Sequence, residues 1–151
     1  MIVDDRVEPL VREIFGAVVK RDEDKLDVAL NSFPDDDSRL KGLHLALAVC
    51  GFVVHDAYDG KPTADEIRLL AAEISAMEQW SALSGDQVTE FLDAVLHGKS
   101  LTPLFDPISA TVLTYVVTGS LLASSTKIRK GEWWFNYLDR VEAAIEAAPE
   151  R

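Results

Sequence analysis

Apolar residues recur along this chain at the three- and four-residue intervals of a helix. Val7, Leu10, Val11, Ile14, Phe15, Val18 and Val19 line one face of the first such segment. Pro9 falls in its first turn, where a missing amide costs no hydrogen bond. A shorter helix is predicted over 23–32, with Leu26, Ala29 and Leu30 inward, and "FPDDDS" stops it. The third segment, 38–58, is apolar on nearly every side from Leu40 to Val54, which predicts a central helix with neighbours around it. Asp36 or Asp37 is placed to cap it. Asp59-Gly60-Lys61-Pro62 ends it, with Gly60 suited to the left-handed position after the last turn.

Thr63-Ala64-Asp65-Glu66 is a capping box that opens a fourth helix, with Ile67, Leu70, Ala71, Ile74 and Met77 as its buried stripe. Ser84-Gly85-Asp86-Gln87 opens a fifth in the same way, followed by Val88, Phe91, Leu92, Val95 and Leu96. Asp106-Pro107 supplies a cap and a first-turn proline for a sixth, 107–124, again apolar on most sides. A last helix is predicted over 132–147. The β-prone "TVLTYVV" lies inside the capped sixth segment, so no strand is expected. The pattern predicts an all-α chain, 1–151, folded as a single-domain bundle of about six to seven helices around two central ones, 38–58 and 107–124.

Charge narrows the partners. The formal net charge is −11, a surface that repels nucleic acid and anionic membranes. Only "KIRK" gathers positive charge, in a predicted loop. The uncharged segment 107–126 is long enough to span a bilayer, yet eight of its twenty residues are Ser or Thr, which fits a buried helix better. No membrane association is expected. One cysteine, Cys50, excludes an internal disulfide, and the acidic N-terminus lacks the features of a signal peptide. A cytoplasmic protein is expected.

His44 and His55 stand out in "LHLALAVCGFVVHDAYDG". Eleven residues apart, they lie about 20° past three full turns and so share one helical face. Ala48 and Gly51 lie between them, which suggests a close helix crossing, with Gly119 of the sixth helix as its partner and hydroxyls satisfying the imidazoles. A joint metal site is excluded by their separation of about 16 Å along the helix. His55 with Asp56 or Asp59 could still begin a metal site. His55-Asp56 is also the dipeptide of HD-type phosphohydrolases, all-α metal enzymes that need a further His and Asp from other helices. The chain places no such pair, so no membership is read from it. The remaining histidine, His97, can pair with Asp93. No ExxH pair, EF-hand loop, glycine-rich phosphate loop, GxSxG or CxxC is present, and no metal or cofactor is assigned. Cys50 lies about 140° around the helix from His55 and reads as an inert core residue.

Two surfaces remain as candidates for a partner. Residues 1–37 hold eleven acids against five bases, with clusters at Asp22, Glu23, Asp24 and Asp27 and at Asp35, Asp36 and Asp37 on or between the first helices. Such a face suits electrostatic steering toward a basic protein, as small acidic immunity-type proteins achieve against nucleases. In "GEWWFNYL", Trp134, Leu138, Val141 and Ile145 form one stripe, and Trp133 with Tyr137 an adjacent one. Trp133 and Tyr137, if exposed, would anchor a partner or a second copy as a homodimer. The expected function is therefore non-enzymatic: a protein–protein interaction module, of neutralising or adaptor type, binding a basic partner. The alternatives are a metal-assisted hydrolase using His55 and Asp56, and a small-ligand binder between the central helices near Thr111, Tyr115 and Thr118.

Overall fold

The computed structural model describes residues 1–148, and these form an all-helical bundle. Its helices are α1 (Glu8–Val19), α2 (Glu23–Leu30), α3 (Asp36–Tyr58), α4 (Ala64–Met77), α5 (Gly85–Leu96), α6 (Pro107–Ser124) and α7 (Trp134–Ala147), with a 3₁₀ turn at Gln79–Ser81. No strand occurs among the described residues.

Local chemistry sets the boundaries. Thr63 and Ser84 form complete capping boxes with Glu66 and Gln87. Asp22 accepts from the Lys25 amide, and Asp106 from the Ser109 amide with Pro107 at the first helical position. At α3 the cap is Asp35 rather than Asp36 or Asp37, accepting from the Ser38 amide at 2.7 Å. The α3 exit differs as well. Asp59, at φ 51°, holds the left-handed position, and the Gly60 amide reaches back to the His55 carbonyl at 2.9 Å. Aspartate tolerates that conformation better than most side chains, so the reversal begins one residue early.

Helix α6 is the axis of the molecule. Every residue from Leu113 to Leu122 is buried, because α1, α3, α4, α5 and α7 all pack against it. Helix α2 lies on α1, and α4 pairs with α5. Helix α3 touches α1, α5, α6 and α7, yet it keeps an open strip that includes Leu40, His44 and His55. Both α3 and α6 are long and apolar enough to cross a membrane, and more of α6 than of α3 is enclosed by this fold.

The close helix crossing is not where the sequence suggests. Gly119 faces Val18 of α1: a Cβ there would sit 2.6 Å from the valine Cγ1. Gly51 has only Val95 nearby, at 3.9 Å. His44 and His55 are exposed, so they flank no buried contact. Three hydroxyls of α6 serve their own helix: Thr111, Thr114 and Ser124 each donate to the carbonyl four residues earlier.

Candidate functional site

The acids of α2 divide by role. Asp22 is spent as the cap, whereas Glu23, Asp24 and Asp27 are exposed and carry no ion pair among the described residues. The acids before α3 are engaged: Asp36 with Arg39 at 2.6 Å and Asp37 with Lys41 at 3.1 Å. Asp27 lies on the same helix as Val28, an exposed aliphatic side chain. Between α1 and α2 runs a groove of about 420 Å³, with Gly16, Ala17, Val28 and Ala29 as its apolar wall. Glu13, Lys20, Asp24 and Lys25 supply its charged rim.

The aromatic end of α7 is only partly as expected. Trp133 is 68% exposed, but Tyr137 is 2% exposed and offers nothing to a partner. Its hydroxyl donates to Asp56 on α3 at 2.7 Å, and the Arg140 guanidinium lies 5.4 Å from its ring centre. The expectation that both share one outer stripe fails because Trp133 is the N-cap, in extended backbone, outside the helical periodicity. Phe135 is the second exposed aromatic instead, set edge-on to Trp134. The Trp134 ring lies over Gly16, where a Cβ would meet it at 3.6 Å. Gly16 thus belongs both to the wall of the α1/α2 groove and to the seat of the α7 aromatics.

His55 and Asp56 turn to different tasks. The His55 Nδ1 pairs with its own helix at the Gly51 carbonyl, 2.8 Å away, while Asp56 holds Tyr137. His97 lies 3.0 Å from Asp93, which also binds Lys99. Among the described residues no group of three or more His, Cys, Asp or Glu is arranged to hold a metal. Burial pushes the Cys50 thiol up to about 12, and the residue is fully enclosed, so it is no nucleophile.

Two ionic clusters escape sequence reasoning. Arg12 of α1 gathers Glu8 at 2.8 Å, Asp139 at 2.7 Å and Glu142 at 3.0 Å, which ties α1 to α7. Burial, and then the neighbouring Glu8 carboxylate, raises Glu142 from 4.5 to about 7 despite Arg12. Because the folded value lies above the unfolded one, this group costs stability as pH rises from about 4.5 through 7. Glu142→Gln loses the Arg12 ion pair but removes this titration, so its stability is expected to fall less than that of wild type between pH 4.5 and pH 8. Urea denaturation at the two pH values checks this. The second cluster centres on Glu78, buried just beyond α4. Arg21, the Trp80 indole and Ser120 all donate to its carboxylate, at 3.3, 2.9 and 3.1 Å.

A larger groove, about 580 Å³, opens between α2, α3 and α6. Leu30, Leu43, Ile108 and Val112 give it apolar walls, and Asp27, Asp36 and Arg39 stand at its edge. Tyr115 lines it from α6, and its buried hydroxyl has no hydrogen-bond partner among the described residues. This lies beside Thr111, where the sequence offered hydroxyls but no indication of which one would be left free. No protein-family model, curated protein or solved structure matches the chain.

Proposed function

We propose that this chain is a non-enzymatic interaction module that binds a basic protein partner across α2 and the neighbouring aromatic end of α7. One observation carries the reading: Gly16 adjoins both the α1/α2 groove, rimmed by Asp24, and the Trp134 ring. The acidic and aromatic candidates thereby become parts of one region instead of two alternatives. Glu23, Asp24 and Asp27 attract cationic side chains without an internal ion pair to break. Val28 on α2 and Trp133 at the start of α7, both exposed, supply apolar anchors. Lys20 and Lys25 share the groove rim and set the register of the opposing charges.

Affinity capture from lysate of the source organism, with wild type and two variants as bait, tests the reading. A basic protein retained at low salt should be released at high salt. The Glu23→Lys/Asp24→Lys/Asp27→Lys bait should lose it, and Trp133→Ala should retain it at least tenfold less, on the scale of an aromatic anchor of about 1.4 kcal/mol or more. Retention of the same proteins by all three baits would refute it. A salt-resistant dimer of the bait, lost in Trp133→Ala, would assign the aromatic end to a second copy instead.

A further inference from the structure

We infer that the groove between α2, α3 and α6 is a binding site for a small, neutral, mostly apolar molecule that carries one carbonyl acceptor. The site is separate from the α1/α2 groove and does not depend on the partner reading.

Its size and lining fit that class of ligand. A volume of about 580 Å³ falls within the range of small-molecule pockets. Leu30, Leu43 and Val112 form the walls, and Ile108, 78% exposed, stands over the mouth with nothing to cover it. An apolar body placed there would remove Ile108 from water.

The polar requirement is set by Tyr115. The residue is 1% exposed, and its enclosed hydroxyl has no acceptor among the described residues. Leaving such a donor unmade costs on the order of a hydrogen bond's desolvation, so an unsatisfied buried phenol needs a reason. Thr111, the other groove hydroxyl, already donates to the Pro107 carbonyl at 2.8 Å. Thr118, the second unpaired hydroxyl of α6, is outside the groove and beside the Cys50 thiol. Tyr115 is therefore the donor that the groove reserves for a ligand acceptor.

Gly42 lets the Phe33 ring and the phenol hydroxyl pack close to α3. A Cβ at this position would lie 2.8 Å from the edge of the Phe33 ring and 3.1 Å from the Tyr115 hydroxyl. Phe33 thus covers the phenol from the 31–35 connection, and it belongs to no helix. Phe33 is itself buried, so its ring must turn for a ligand carbonyl to reach the hydroxyl, a change confined to the 31–35 connection. The edge charges favour a neutral molecule. Arg39 is already paired with Asp36, and Asp27 adds a further negative charge, so an anion gains nothing there. A cation would have to shed its water against the aliphatic walls.

The probe is 2-nonanone, followed by calorimetry and by methyl NMR of Leu43 and Val112. Wild type should bind it saturably with both methyl groups shifted, and should bind decanoate more weakly. Tyr115→Phe removes only the unpaired hydroxyl, so it should fold with undiminished thermal stability and bind the ketone about five- to tenfold more weakly. Val112→Trp, which fills the groove, should abolish binding. Absence of saturable binding to wild type, unshifted Leu43 and Val112 methyls, or equal ketone affinity in Tyr115→Phe would each overturn the proposal.

Discussion

Glu78→Ala should destabilise the protein by about 3 kcal/mol, the largest single effect expected from a polar residue here. Glu78 is 4% exposed, and its carboxylate joins two distant parts of the chain, Arg21 after α1 and Ser120 on α6, to nearby Trp80 in the 3₁₀ turn. Truncation leaves the indole N–H and the serine hydroxyl without their acceptor in an enclosed place. Arg21 is half exposed and recovers water, which keeps the loss below that of a fully buried ion pair. For a chain of this length the melting temperature should fall by about 10 °C. Glu78→Gln keeps the shape and one acceptor oxygen, and should lose less than half as much. Thermal unfolding of the two variants beside wild type measures both.

Gly119→Ala comes next, at about 2 kcal/mol. The added methyl would lie 2.6 Å from Cγ1 and 2.9 Å from Cβ of Val18, two atoms held close to the α1 backbone. Rotating the valine cannot clear its Cβ, so α1 and α6 must separate. Both residues are buried at the axis of the bundle, and the separation propagates to Phe15 and Tyr115, whose rings meet 5.8 Å apart. The pair Gly119→Ala/Val18→Ala restores the close approach and should recover part of the loss. A double-mutant cycle in urea would show a coupling well above zero. Additive losses would mean that the helices do not meet at this point.

The fold was largely legible because its helix ends are written in local chemistry. Thr63, Ser84 and Asp106 cap where the sequence places them, and α6 runs from Pro107 to Ser124 as expected. What a uniform apolar stretch conceals is its outward face. Leu40 and His44 lie on an open strip of α3, while Leu45 and Val49 are buried, and no periodicity in so apolar a helix separates the two sets. The candidate surfaces were legible only in outline. Composition alone marks the α2 acids, but Tyr137 is buried, and Trp133, as the N-cap, stands outside the helical stripe drawn through both. Phe135 is exposed because it points about 100° away from Trp134, which a wheel drawn from 134 onward would show. The Glu78 cluster joins residues 57 and 42 positions apart, with no local pattern to announce it. The free hydroxyl of Tyr115 likewise depends on Phe33 and Gly42, which only the tertiary fold brings beside it.

Site-specific photo-cross-linking in living cells tests the partner-binding role most directly. A benzophenone side chain is placed at Glu23 on α2 and, in a second protein, at Glu73, an exposed position on α4. One discrete adduct with a basic protein is expected from position 23, fainter when irradiation follows lysis into high salt, and none from position 73. The same adducts from both positions, or none from position 23, would contradict that role.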